Sequence, residues 1–250
     1  MHMLSSKEIK DLLPWRTRGI GELERRVGKI LPLIDALLKT KKKVRILEIG
    51  CGFGTCLIEL RKRYGMAVAL VGINKKLSHG DWAMMMRVAR TTKSVAAGEL
   101  KRMHPPKIVF CDVSEGLPFK SGTFDIIYSQ VAFQYFDDKI KVIEEIDRVL
   151  AKGGIAKMHT MLSDGNFPQG YRDVIEIWDA RKGKQVALSA YLRNFPSVRL
   201  KRSSAKKRYL TIRKGPWPGL DLRLALISTT NVNLLDKSCW GTKSVYSIRQ

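Results

Sequence analysis

Glu48-Ile49-Gly50-Cys51-Gly52-Phe53-Gly54 is the segment whose residue types and spacing most plainly do chemistry. It follows a short β-branched run, Val44 to Ile49. It opens a stretch, Thr55 to Tyr64, in which Leu57, Ile58 and Leu60 recur at helical spacing. Three glycines at alternate positions let the backbone turn tightly and meet a ligand with no side chain in the way. A dinucleotide pyrophosphate set on a helix N-terminus requires G-x-G-x-x-G, and G-x-G-x-G does not fit that fingerprint. Further polar candidates stand where apolar runs end: Asn74 after Val71-Gly72-Ile73, Asp112-Val113 after Ile108-Val109-Phe110, Ser129 after Phe124 to Tyr128, and His159 within Ile155 to Met161. Ser129 leads into Gln130-Val131-Ala132-Phe133-Gln134-Tyr135-Phe136, whose aromatics either pack under a sheet or, at Tyr135, stack on or orient a substrate. His159 is a candidate base or a buried structural histidine. Cys51, Cys56, Cys111 and Cys239 form no C-x-x-C pair and no ligand spacing with the histidines, so reduced thiols are expected, without disulfide or metal.

These groups need strands to hold them. Val44–Ile49, Ala67–Ile73, Ile108–Phe110, Phe124–Ser129 and Ile155–Met161 read as strands. Between them, Thr55–Tyr64, a Met-rich segment within 78–103 and Lys139–Leu150 read as helices. In the last, Ile140, Ile143, Ile146, Val149 and Leu150 share a face. Met84-Met85-Met86 reads as core filling. Alternating strands and helices imply a doubly wound, mostly parallel α/β sheet. Residues 7–40 read as helical, broken at Pro14 and Gly19–Gly21, with Pro32 interrupting the longer piece. Beyond residue 165, Tyr171–Asp179 reads as helix, and Val198–Leu200, Tyr209–Arg213, Leu222–Ser228 and Val245–Ile248 as strands. Lys201 to Arg208 reads as an exposed loop. The chain thus divides at 1–43, 44–165 and 166–250.

No apolar run approaches the ~18 residues of a membrane span. Lys7, Glu8 and Lys10 argue against a secretory signal, so a cytoplasmic protein is expected. The net charge is +23, and it is segregated. Residues 44–180 hold 19 Lys/Arg against 16 Asp/Glu, whereas residues 181–250 hold 16 against 2 and residues 1–43 hold 11 against 5. A near-neutral middle with basic ends suits a polyanionic partner such as RNA. Lys201, Arg202, Lys206, Lys207 and Arg208 are the candidate phosphate contacts, and Tyr209 and Trp217 the candidate base stackers. The plainer explanations are solubility and a basic proteome.

The E-x-G-x-G-x-G motif in its strand-to-helix setting resembles the class I S-adenosylmethionine methyltransferases, and the resemblance spans residues 44–160. Phe124-Asp125-Ile126-Ile127, Glu145, Arg148-Val149-Leu150 and Gly153-Gly154 resemble a later stretch of the same family. The resemblance implies a Rossmann-like fold with an N-terminal helical cap (1–43), a cofactor-binding core (44–165) and a basic C-terminal part that completes the sheet and contacts substrate (166–250). It implies S-adenosylmethionine as cofactor, held by Glu48, the loop residues Gly50, Cys51, Gly52 and Gly54, and Asn74, Asp112, Val113 and Ser129. Asp112 would bind the adenine amino group. Asn74 stands where the family has a carboxylate gripping the ribose hydroxyls. An amide offers one acceptor oxygen, so weaker binding is expected, and Asn74→Asp is expected to match or improve it. Trp15-Arg16 could fold over the cofactor. The sulfonium methyl is already activated, so alignment matters most and a general base is optional. That leaves the acceptor open between RNA held by the basic ends and a small molecule or lipid. A binding module without chemistry is a third reading, opposed by the intact glycine motif and Asp112.

Overall fold

Residues 18–76, 80–92, 94–160, 174–202, 208–216, 219–235 and 239–249 are described in a computed structural model of the chain. β1 (Val44–Ile49) is buried everywhere except Arg45, the mark of a strand covered on both faces. It pairs in parallel with β2 (Val68–Asn74) on one side and β4 (Phe124–Ser129) on the other. β3 (Lys107–Phe110) lies beyond β2 and β5 (Leu150–His159) beyond β4, both parallel. β9 (Arg208–Arg213) runs antiparallel to β5, and β8 (Val198–Arg202) antiparallel to β9. The resulting seven-stranded sheet has the order β3-β2-β1-β4-β5-β9-β8. This is the mostly parallel, Rossmann-like α/β architecture expected from the alternation of elements.

One face of the sheet is covered by α1 (Ile20–Val27), α2 (Leu31–Leu38), α3 (Thr55–Tyr64) and α4 (Trp82–Thr91), through Leu23, Ile34, Leu57 and Met85 packed with Ile46 and Ile155. α5 (Ala97–Arg102) precedes β3. The other face is covered by α6 (Lys139–Val149), whose Ile140, Ile143 and Ile146 meet Leu47, Ile49 and Ala156. The N-terminal helical run divides at Gly28, where φ is +73°. Pro32 sits in the first turn of α2, where its missing N–H costs nothing. No helix among the described residues is long and apolar enough to cross a membrane.

The C-terminal part departs from expectation. β8 and β9 do complete the main sheet. A second sheet forms from β6 (Ile175–Asp179), β7 (Lys184–Val186), β10 (Leu224–Leu235) and β11 (Cys239–Ile248), in the order β10-β11-β6-β7. Residues 175–179 are therefore strand, not helix, while 171–173 lie outside the described residues. The cause is tertiary: Ile175, Ile177 and Asp179 are buried with period two once β6 pairs with β11.

Lys139, at the start of α6, fastens this second sheet to the first. It is fully buried. Its ammonium donates to the carbonyl of Phe136 at 2.6 Å, the carbonyl of Thr242 at 2.5 Å and Oγ of Ser244 at 3.1 Å. Ser244 Oγ in turn donates to the carbonyl of Asp137 at 2.7 Å, and the Tyr246 hydroxyl donates to Oδ1 of Asp138 at 3.1 Å. Burial pushes the Lys139 amine down to about 7, against the opposing pull of Asp137 and Asp138.

Replacing Lys139 with Met leaves two carbonyls and a hydroxyl without their donor, so stability should fall by about 1–3 kcal/mol. The folded amine titrates below its unfolded value. Between about pH 7 and 10 the unfolded chain therefore binds more protons, and the wild type gains stability with rising pH. Chemical denaturation at pH 7 and pH 9.5 should show the wild-type advantage over Lys139→Met widening; a constant or shrinking difference would contradict this account.

Candidate functional site

The loop between β1 and α3 stands at the carboxyl ends of the central strands, where open α/β sheets bind ligands. Gly50, Gly52 and Gly54 all take left-handed backbone angles, with φ of +71°, +53° and +67°. Space demands glycine at Gly50 as well, where a Cβ would lie 2.5 Å from Cβ of Ala132; a Cβ on Gly54 would press on the end of the flexible Met85 side chain. Met85 is thus core packing, as its run suggested. The amides of Gly50 and Cys51 both donate to the carbonyl of Ile73 at 2.9 Å, which ties the loop to the end of β2.

Asn74 completes that tie. Its side chain is buried, with only 2% of the residue exposed. Oδ1 accepts from the amide of Gly52 at 2.8 Å, while Nδ2 donates to the carbonyl of Gly52 at 3.0 Å and to that of Gly80 at 2.9 Å. The side-chain amide therefore holds the middle glycine by both its donor and its acceptor. Both side-chain hydrogens are committed to backbone carbonyls, and only a second lone pair on Oδ1 remains for any ligand. A carboxylate here would satisfy the Gly52 amide but turn an anion toward two carbonyl oxygens.

Asp112, at the end of β3, receives Lys75 Nζ at 2.6 Å and the Ser114 amide at 3.0 Å. Burial pushes its carboxyl up, but Lys75 and the Ser114 amide outweigh burial and hold it below the usual aspartate value. Lys75 also lies 3.9 Å from Asp137. Sequence reading passed over Lys75, although a cation next to Asn74 and one strand away from Asp112 is a readable signal. Val113 is buried in the core. Glu48 is buried beneath the loop and accepts from the Tyr128 hydroxyl at 3.3 Å. Burial drives its carboxyl well above the normal range, which favours the neutral acid.

Ser129 lies beside Ile49 in the β1–β4 register. Ser129 Oγ, Gln130 Oε1 and Thr55 Oγ1 are buried and have no hydrogen-bond partner among the described residues. Such oxygens call for a water or ligand partner; Gln134 Oε1 and Thr211 Oγ1 share this state, but Thr55 follows the glycine loop directly and Ser129 lies beside Ile49 where the loop starts. With the glycine loop, whose Cys51 and Phe53 side chains are buried, and an ionised Asp112, the oxygens of Thr55, Ser129 and Gln130 fit a cofactor with amino and hydroxyl donors. Gln130 Nε2 donates to the carbonyl of Arg18 at 3.4 Å, so the segment before α1 reaches the site. Trp15 and Arg16 lie outside the described residues. Val131 follows with φ of +50°, a strained value for a β-branched residue, and so aims Ala132 at Gly50.

Phe133 and Phe136 belong to the core, with ring centroids 5.9 Å apart at 71°. Tyr135 does not join them and is half exposed. His159 is buried at the end of β5, opposite Tyr209. The basic segment is not the single exposed loop expected. Lys201 and Arg202 are the last residues of β8, and Arg208 is the first of β9. In the backbone register Arg202 pairs with Arg208 and Lys201 with Tyr209, so Lys201 points to the sheet face opposite Arg208. Lys206, Lys207 and Trp217 lie outside the described residues. β8 is four strands from β1, roughly 19 Å at ~4.8 Å per strand. A basic cluster does form on the α1 face: Lys157 Nζ donates to the carbonyl of Lys29 at 2.7 Å, and burial, then Lys201 and Arg213, push its amine down.

Asn74→Asp is accordingly expected to weaken both loop and cofactor binding, the reverse of what the resemblance alone implies. Stability should fall by about 1–3 kcal/mol from carbonyls left without a donor, and S-adenosylmethionine affinity about tenfold or more, since ~1.4 kcal/mol of loop distortion is one decade. Thermal denaturation and titration calorimetry read both; equal or tighter binding with unchanged stability would show that the amide is not needed by the loop.

A family model described as a methyltransferase domain matches residues 47–158, the span from β1 to β5. A sarcosine/dimethylglycine N-methyltransferase of Aphanothece halophytica is 24% identical over 56% of this chain and 50% of its own length. A malonyl-[acyl-carrier protein] O-methyltransferase of Laribacter hongkongensis is 31% identical over 48% of this chain and 38% of its own. The chain thus matches half or less of the length of these curated relatives. Among solved structures, a Pyrococcus horikoshii protein superposes with a TM-score of 0.51 at 19% identity, covering 84% of this chain and 100% of that one. A Methanococcus maripaludis protein assigned to the S-adenosylmethionine-dependent methyltransferases gives 0.50 at 14% identity, covering 88% and 100%. These two likenesses concern the fold. With the glycine loop at its expected place in that fold, residues 47–158, from β1 to β5, match the methyltransferase-domain family.

Proposed function

We propose that the protein transfers the methyl group of S-adenosylmethionine to a small-molecule acceptor. The observation that carries this reading is the Gly50–Gly54 loop, held open by Asn74 beside three buried, unpartnered oxygens. Gly50, Cys51, Gly52 and Gly54 offer backbone to the cofactor, with Glu48 supporting the turn from beneath. Asp112 takes the adenine amino group, Val113 packs beside the ring, and Ser129 offers its hydroxyl. Asn74 chiefly holds the loop. When bound, the cofactor supplies an activated methyl group, so the chain's own task is alignment and exclusion of water. Tyr135, the exposed aromatic after β4, and His159 stand on the acceptor side. In this reading residues 1–43 cap the site, 44–165 form the cofactor-binding core, and 166–250 complete the sheet and bound the acceptor.

The small-molecule acceptor is supported by the named relatives, one acting on sarcosine and dimethylglycine and the other on malonyl-[acyl-carrier protein]. The distance of β8 from the loop supports it too. RNA is the second reading, favoured by the excess of 16 Lys/Arg over 2 Asp/Glu in residues 181–250 and by Lys157, Lys201 and Arg213 clustering on one face.

A tritiated-methyl assay with parallel arms of small amines and carboxylates, acyl-carrier protein conjugates, and total RNA separates the readings. Label should appear in a small-molecule arm and fall about 10- to 150-fold in Asp112→Ala, the effect of losing ~1.5–3 kcal/mol of hydrogen bonding to a charged group. Label confined to RNA, weakening steeply with salt, would favour the second reading. Bound cofactor without transfer in any arm would overturn both.

A further inference from the structure

Sheet edges expose unpaired N–H and C=O groups, and soluble proteins blunt them with charge, proline or brevity. Among the described residues, three of the four sheet edges follow that rule. β3 has four residues and carries Lys107; β7 has three and carries Lys184; β8 carries Arg199, Lys201 and Arg202. β10 does not. It has twelve residues, Leu-Ala-Leu-Ile-Ser-Thr-Thr-Asn-Val-Asn-Leu-Leu, with neither a charge nor a proline.

No longer charge-free run occurs in a chain that is 28% charged. The next longest, residues 64–74 and 126–136, hold β2 and β4, which are buried inside the main sheet. β10 matches their composition yet lies at an edge. Residues 226–231 are exposed one after another, hence on both faces, with Leu226 40% and Ile227 59% exposed. Bulges between Leu226 and Ser228 and between Asn233 and Leu235 interrupt the ladder to β11 and are the one edge-blunting feature the strand carries.

We propose that β10 is the seam of a two-fold dimer, pairing antiparallel with β10 of a second copy so that two four-stranded sheets become one of eight. Charge selects this occupant. An acidic partner would be recognised by cations, and β10 offers none. A neutral strand paired with itself keeps the basic surfaces of both copies off the seam. Antiparallel self-pairing satisfies two-fold symmetry, the commonest in soluble oligomers. Twelve residues span roughly 40 Å and can form up to about twelve main-chain hydrogen bonds, against the ten or so of a standard interface. Leu226 and Ile227 add apolar contact beside the ladder.

The test is sedimentation velocity and native mass spectrometry of the full chain across a hundredfold concentration range, together with hydrogen exchange of residues 224–235. A dimer is expected, with β10 protection that rises with concentration. Thr229→Lys combined with Thr230→Lys sets cations on both faces of the seam and should weaken dimerisation at least tenfold, with the melting temperature unchanged. A wild-type chain that stays monomeric throughout the range would overturn the proposal. So would a dimer that the lysine variant leaves intact, or β10 protection independent of concentration. If the variant melts early, the concentration dependence of wild-type exchange decides alone.

Discussion

The backbone of residues 50–54 must turn at the carboxyl ends of the central strands with no side chain between it and a ligand, and most of the site follows from that constraint. Left-handed angles at Gly50, Gly52 and Gly54 meet it locally. They would leave a floppy loop, because glycine is the residue with the most backbone freedom to lose. The order is supplied from outside: the carbonyl of Ile73 gathers the first two amides, and the Asn74 side chain grips Gly52 from both sides. Since β2 ends at Asn74, the sheet register itself fixes where the loop can be.

This arrangement changes what the residue at the end of β2 is for. A carboxylate there would be free to accept from a ligand's hydroxyls, whereas the amide is a two-way connector suited to peptide groups. The loop gains rigidity and the ligand loses an acceptor. Lys75, next in the chain, is paired to Asp112, which keeps that carboxylate ionised on a site otherwise rich in neutral groups. The neighbouring Glu48 is pushed the other way by burial. Two carboxyls a few residues from the same ligand zone are thus held in opposite states by their surroundings.

The central fold was legible because its signals are local. β-Branched runs closed by polar residues marked β1 to β4, and the apolar face of Lys139–Leu150 marked α6 almost to the residue. The glycine spacing and its strand-to-helix context placed the loop. What stayed hidden depends on partners distant in sequence. Ile175–Asp179 is a strand only because β11, about seventy residues later, pairs with it; five residues with two isoleucines do not decide between helix and strand alone. The second sheet as a unit, the buried Lys139, the strain at Val131 and the double role of Asn74 were illegible for the same reason. Charge misled in a different way: Lys201 to Arg208 looked like an exposed loop, but Arg202 and Arg208 are cross-strand partners and their neighbours Leu200 and Leu210 belong to the ladder.

The most direct test of the glycine loop as the cofactor's seat is titration calorimetry of S-adenosylmethionine into the wild type and Gly52→Val. The account predicts one cofactor per chain in the wild type. In the variant it predicts loss of binding by two decades or more, about 3 kcal/mol, while circular dichroism shows the sheet still folded. Unchanged affinity in a folded Gly52→Val variant would contradict it.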